Sequence, residues 1–306
     1  MLVDKFGRVI TTLRLIVTYR CNLSCFFCHH EGAFPERELL DAEDYGFVAK
    51  VGVSLGITKY RITGGEPLIR KDIVDIVSEI AQVDGVEDLS ITTNGTLITR
   101  RLLEELKEAG LDRINISLHT LDRAHYKEIT GKDMLDKVLS GIDNAVEVGF
   151  KEIKINVVLL HGINDGEIVS LVKYAASRKA VLQLIELEPV DPNIFRKYHE
   201  KLPSESTIAS LSNLPVIRVS IRNTQHRKIV ELGNGVKIEY VNPLENREFC
   251  KYCNRLRLTP GGKIKPCLFS KDYVDALLPI KERDEESLKE AFIKVLKYRK
   301  PYFSMV

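Results

Sequence analysis

Between residues 12 and 187, short runs rich in Val, Leu and Ile alternate with longer stretches in which apolar residues recur every three or four positions. The short runs predict strands over 13–18, 57–63, 88–93, 113–119, 152–160 and 180–187. The longer stretches predict helices over 41–55, 70–81, 99–109, 134–148 and 165–177, with Gly110 and Gly149 standing where helix C-caps fall. Such alternation implies right-handed βα units and a parallel sheet, which either curls into a partial barrel or spreads open.

Polarity inside these strands has a period of two. Arg14 and Thr18 share a parity in the first strand, as do Lys59, Arg61 and Thr63 in the second and Ser90 and Thr92 in the third. Asn115, Ser117 and His119 follow in the fourth, and Lys154 and Asn156 in the fifth. The opposite parity carries Leu13, Leu15, Tyr60, Ile62, Ile114, Ile116, Ile153 and Ile155. Side chains alternate faces along a strand, and parallel strands covered on both sides are normally apolar on both. One surface therefore packs on helices while the other lines a polar lumen suited to binding. Four cations on one face of otherwise aliphatic strands call for an anionic partner, because an unpaired buried charge costs several kcal/mol. No Gly-x4-Gly-Lys-Ser/Thr loop occurs, so side chains must do the anion binding.

Beyond Glu188 the pattern changes. Pro189, Pro192 and Pro203 punctuate a connecting stretch, 216–222 reads as a strand, and 228–231 with 236–241 around Gly233-Asn234-Gly235 reads as a hairpin. A second hairpin about Gly261-Gly262 and a final amphipathic helix over 285–298 complete the chain.

Composition narrows the function classes. Lys plus Arg number 45 against 43 for Asp plus Glu, which gives no electrostatic case for nucleic acid. Residues 1–14 carry Asp4, Lys5 and Arg8 without a long apolar run, so neither a signal peptide nor a membrane anchor is expected and the protein is read as cytoplasmic. In a reducing compartment the six cysteines imply metal or redox chemistry rather than disulfides.

Those cysteines fall into two triads. Cys21, Cys25 and Cys28 form C-x3-C-x2-C just after the first strand, where parallel folds place their chemistry. Cys250, Cys253 and Cys267 form C-x2-C-x13-C. Thiolates ligate iron–sulfur clusters, and three ligands leave one iron open to a substrate or cofactor. The competing reading is a zinc-stabilised binding protein in which Cys25 and Cys28 join Cys250 and Cys253, leaving Cys21 and Cys267 unused. Arg255 and Arg257 follow the second triad two residues apart, so both point the same way, either offsetting cluster charge or seating an anion.

The first triad together with Thr63-Gly64-Gly65-Glu66-Pro67 resembles the radical S-adenosylmethionine superfamily. With the second triad and the Arg255-Leu256-Arg257 segment, nearly the whole chain resembles the GTP 3′,8-cyclase family of molybdenum cofactor synthesis. The resemblance implies an α/β fold: a partial (β/α)6 barrel with a smaller C-terminal α+β part, divided as 1–225 and 226–306. It implies two 4Fe-4S clusters, one on each triad, and S-adenosylmethionine on the first. Phe27, Gly64, Gly65, Glu66 and Ser117 match cofactor contacts, with Glu66 complementing the cofactor's ammonium. Arg14, Lys59, Arg61, Thr92, Lys154, Arg255, Leu256 and Arg257 match GTP contacts, and Arg255 or Arg257 would assist reduction or substrate placement. The implied chemistry is removal of the ribose 3′ hydrogen of GTP and closure onto guanine carbon 8. It requires an external electron donor and hands its product to cyclic pyranopterin monophosphate synthase. A homodimer is compatible with the sequence but not required by it.

Four departures from the family pattern stand out: Phe27 replaces a common Tyr, Gln183 a common Arg, Glu188 a common Met, and the tail Ser304-Met305-Val306 lacks paired glycines. The runner-up within the superfamily is a peptide-modifying maturase with an auxiliary cluster.

Overall fold

The computed structural model describes residues 1–32, 36–246 and 248–302, so the expectation for the tail at Ser304, Met305 and Val306 lies outside the described residues. Six strands, β1 (Thr12–Ile16), β2 (Lys59–Thr63), β3 (Asp88–Thr93), β4 (Arg113–Ser117), β5 (Glu152–Val158) and β6 (Val181–Ile185), lie side by side and parallel. The intervening helices are α1 (Ala42–Ser54), α2 (Ile73–Ala81), α3 (Arg100–Glu108), α4 (Arg123–Thr130), α5 (Leu135–Val148) and α6 (Ile168–Ser177). Their boundaries follow local chemistry. Asp41 and Asp44 exchange side-chain and backbone hydrogen bonds in a capping box that opens α1. Gly149, at φ 74°, closes α5 in the left-handed conformation.

The rest of the chain extends both edges of this sheet. After α7 (Pro192–Tyr198) and α8 (Glu205–Ser212), the antiparallel strands β7 (Val216–Arg222) and β8 (Arg227–Leu232) lead into β9 (Lys237–Val241), which runs parallel to β6. The chain then crosses to the far edge, where β10 (Arg255–Leu258) pairs parallel with β1. β11 (Lys263–Lys265) and β12 (Val274–Asp275) follow, with α9 (Leu277–Lys281) and α10 (Glu285–Val295) packed behind. One twelve-stranded sheet results, in the order β12-β11-β10-β1-β2-β3-β4-β5-β6-β9-β8-β7.

The sheet curls on itself. Its two flanks meet where the β7–β8 turn docks on the loop before β10: Gln225 N–H donates to the Tyr252 carbonyl at 2.9 Å, Asn246 Nδ2 donates to the His226 carbonyl at 2.9 Å, and His226 stacks on Tyr252 at 4.8 Å. The outward parity forms the core. Leu13, Leu15, Tyr60, Ile62, Ile114, Ile116 and Ile155 are fully buried, and the same apolar cluster continues through Leu256 and Leu258 to Leu288 and Phe292 of α10. Each such side chain contributes about 1.5–3 kcal/mol through loss of water contact.

Candidate active site

The strand registers assemble the inward parity into rows. Arg257, Arg14, Arg61, Ser90, Arg113 and Glu152 are successive partners across β10, β1, β2, β3, β4 and β5. One row below stand Arg255, Thr12, Lys59 and Asp88, and one row above stand Thr63 on β2 and then Thr92, Asn115 and Lys154. Arg222 and Arg227 pair across β7 and β8 and complete the wall, with Glu239 of β9 beside them.

Much of this charge is internally matched, which corrects, for Arg14, Arg61 and Lys154, the expectation that the strand cations wait for an external anion. Arg14 Nη2 donates to Glu31 Oε1 at 2.5 Å, and Arg257 Nη1 donates to Glu31 Oε2 at 2.9 Å. Arg61 lies 3.5 Å from Asp88, Arg113 bridges Asp88 and Glu152, and Lys154 pairs with Glu239. Glu31 is 4% exposed; burial alone would raise its carboxyl, yet Arg14 and Arg257 hold it well below the ordinary range. Lys154 and Arg227 outweigh burial in the same way at Glu239.

The remainder is a guanidinium cluster. Arg255 pairs with no carboxylate among the described residues, and the group that favours its charge is the neighbouring Cys253 thiol. Burial, and then Arg227, Arg61 and Arg14, pull its proton affinity well below that of a free arginine. Arg61 is drawn down to about 9 by burial and the neighbouring Arg113. Among the described residues, Arg14, Arg61, Arg227 and Arg255 each hold a buried Nε–H that meets no acceptor. Orphaned donors on clustered cations are costly unless an anion accepts from them.

The first triad lies in the loop after β1. Leu23 N–H and Asn94 Nδ2 donate to Cys21 Sγ at 3.5 and 3.8 Å, and His30 N–H donates to Cys28 Sγ at 3.3 Å. Burial, then Cys28 and Cys21, push the Cys25 thiol up to about 12. The Gly64-Gly65 run is packed tightly against the cysteine loop. A Cβ on Gly64 would stand 2.3 Å from the Thr18 carbonyl oxygen, and one on Gly65 2.2 Å from that of Arg20. The glycines admit the backbone of the cysteine loop itself. Gly65 N–H donates to Thr18 and Glu66 N–H donates to Arg20, each at 2.8 Å.

Glu66 is anchored within the same turn. Its carboxylate is fully buried and accepts from Leu68 N at 3.0 Å, Thr93 Oγ1 at 2.7 Å and Asn94 N at 2.6 Å. Against those bonds burial pushes it up to about 7. It ties the turn to β3 through three of the roughly four hydrogen bonds that a carboxylate can accept. Phe27 packs edge-on against His119 at 5.0 Å, and burial holds that imidazole neutral, down to about 4. Ser117 ends β4 two residues before His119 and is in register with Asn156, whose buried Oδ1 has no partner.

The second triad borders a cavity of about 1000 Å³ whose walls include Cys250, Cys253 and Cys267 together with His29 and Gly32 from the first-triad loop. Burial alone would raise the Cys253 thiol, but Arg299 and Arg255 outweigh it and favour the thiolate. Among the described residues neither triad, nor a mixture of both, brings three sulfurs within 4.8 Å of one another. A tetrahedral zinc ion with bonds of about 2.3 Å would require sulfurs about 3.8 Å apart.

Leu256 corrects another expectation: it is fully buried on the helix-packed face, so its side chain cannot meet a ligand in the lumen. Thr92 is on the inward face, within 3.4 Å of Asn115 Nδ2, and Lys59 stands beside Asp88 in the register. The sequence reading missed Glu31, Asp88, Arg113, Glu152, Arg222, Arg227 and Glu239. Asp88, Arg113 and Glu152 open their strands on the parity already marked as polar, so extending that alternation by one step would have found them.

Residues 15–175 match the Radical SAM superfamily, and residues 180–305 match Molybdenum Cofactor Synthesis C. A probable GTP 3′,8-cyclase of Methanothermobacter thermautotrophicus is 42% identical over 98% of both chains. Its counterpart in Pyrococcus abyssi is 41% identical over 99% of this chain and 100% of its own. Among solved structures, Streptococcus suis SuiB superposes with a TM-score of 0.66 and 18% identity over 93% of this chain and 67% of its own. The enzyme anSMEcpe with bound AdoMet gives 0.60 and 15% over 94% and 83%. At such identities these two share the fold alone.

Proposed function

The chain belongs to the GTP 3′,8-cyclase family within the radical S-adenosylmethionine superfamily, and from that membership we propose that it converts GTP to 3′,8-cyclo-7,8-dihydro-GTP between two cysteine-ligated clusters, in the first step of molybdenum cofactor biosynthesis. Cys21, Cys25 and Cys28 would hold the 4Fe-4S cluster that receives S-adenosylmethionine, and Cys250, Cys253 and Cys267 a second cluster. When bound, the first cluster and its cofactor supply a 5′-deoxyadenosyl radical able to remove the ribose 3′ hydrogen.

The protein's own contribution is position, charge and dryness. Arg14, Arg61 and Arg255 present unsatisfied donors to the triphosphate, while Glu31 fixes Arg14 and Arg257 at the junction of the two cysteine loops. Phe27 and His119 wall the cofactor end with an aromatic pair. Lys59, Thr92 and Lys154 stand on the same inward face as further polar contacts, and Ser117 with Asn156 serves the cofactor side. An external one-electron donor would supply the reducing equivalents, and the cyclised nucleotide would pass to cyclic pyranopterin monophosphate synthase.

The observation carrying this reading is the set of buried, acceptor-less guanidinium groups on the inward face of the sheet, carried by β1, β2, β8 and β10. Iron and sulfide quantification on anaerobically purified protein, followed by turnover with GTP and a reductant, tests it. Two clusters per chain and GTP-dependent formation of 5′-deoxyadenosine are expected. Product from a triple Cys→Ala variant of either triad would defeat the assignment.

A further inference from the structure

We propose that Arg227, on the β7–β8 arm, is a phosphate-binding residue of the lumen and makes the site discriminate in favour of the polyphosphorylated nucleotide. The inference rests on the reading above, that GTP occupies this lumen.

Arg227 reaches the lumen from a part of the chain remote from the strands that carry Arg14 and Arg61. The turn before it is bound to the second cysteine loop through Gln225 and Tyr252, so its position is fixed by the same contact that closes the sheet. The side chain is 7% exposed. Nη1 donates to Glu239 at 3.2 Å, Nη2 donates to Gln225 Oε1, and the buried Nε–H has no acceptor.

Neutralising Glu239 does not account for this residue. That single carboxylate already holds Lys154 and Arg222, so Arg227 is a third cation on one anion. Its excess charge is felt across the lumen, where it is the first charged neighbour to depress Arg255. Glu239 thus serves as a holder that keeps a surplus guanidinium aimed inward. A phosphate oxygen is the ligand that both accepts from Nε–H and offsets the charge.

Binding of GTP, GDP and guanosine to the cluster-loaded protein, measured by anaerobic titration calorimetry, tests the inference. Arg227→Gln should weaken GTP at least ten-fold with guanosine unchanged, and Arg227→Lys should recover part of the loss. Equal weakening of GTP and guanosine would indicate a merely structural role and overturn the inference, as would wild-type GTP affinity in Arg227→Gln. Should Arg227→Gln fail to fold, the GTP-to-guanosine ratio in Arg227→Lys decides: a fall supports the inference, and a wild-type ratio overturns it. Arg14→Gln separates the two levels of the argument. If it weakens GTP while both Arg227 variants do not, the substrate reading stands and only the inference falls; if wild-type protein binds no GTP, both fall.

Discussion

Glu31 shows how one side chain can set the electrostatics of a site. It has a left-handed backbone at φ 51°, unusual for a residue with a side chain, and this turns its carboxylate back onto two arginines from different strands. Removing one partner of a buried pair strands the other, so Glu31→Gln should destabilise the cofactor-free protein by about 3 kcal/mol in anaerobic chemical unfolding at neutral pH. Because the folded carboxyl titrates below its unfolded value, this advantage is fully present above the ordinary carboxylate range and is lost as pH falls through that range and below it. Wild-type and Glu31→Gln stabilities should therefore converge on acidification; a constant gap would refute the charge argument. Arg14, Lys59, Arg61 and Lys154 were legible as polar residues on a regular parity, whereas Arg113, Arg222 and Arg227 were missed; the cysteines were legible because their spacing carries its chemistry locally. Glu31 was not legible, because its role depends on Arg257, 226 residues later, and on a backbone conformation that no periodicity encodes.

Among the elements, the junction of the cysteine loop with the Gly64-Gly65 turn is the least tolerant. Gly65→Ala would force a methyl group against the Arg20 carbonyl and push the loop away from its partner. The fold should persist, since the core lies on the opposite face, while iron bound at the first triad falls by half or more and the second triad remains loaded. Iron counting combined with spectroscopy of each cluster checks this; full occupancy of both would remove the steric argument. Glu66→Gln acts on the same turn from the other side. An amide nitrogen cannot accept from Asn94 N–H, so about 1–3 kcal/mol should be lost in thermal unfolding. Most of the strands and long helices could be read from periodicity to within a few residues, because each buries a continuous apolar stripe. α4, α7 and α8 were passed over because they are short, although Asp122, Asp191 and Ser204 cap them through hydrogen bonds that leave a recognisable residue type at each start.

For the molecule as a whole, the surplus of guanidinium groups in the lumen implies that the ligand-free fold carries unrelieved repulsion. A ligand that binds only the folded state stabilises it by about 2.7 kcal/mol at a hundred times its dissociation constant. GTP at that excess should raise the midpoint of thermal unfolding by at least several degrees, and guanosine at the same multiple of its own constant should give a similar rise. At equal concentration GTP should therefore stabilise far more than guanosine, a difference that raised salt should reduce only in part, since buried charges are weakly screened. Equal shifts for the two ligands at equal concentration would place the phosphates outside the lumen.

The position of β10 beside β1 bears on synthesis as well as on catalysis. A nascent chain emerging from the ribosome will have presented its first cysteine loop long before the strand that shelters it exists, with the β1 edge bare and Glu31 lacking one of its two arginines. Metal delivered during translation would meet a half-built cradle. Assembly of the first cluster should therefore be efficient only on released, full-length polypeptide, and ribosome-stalled chains ending before Arg255 should retain little iron.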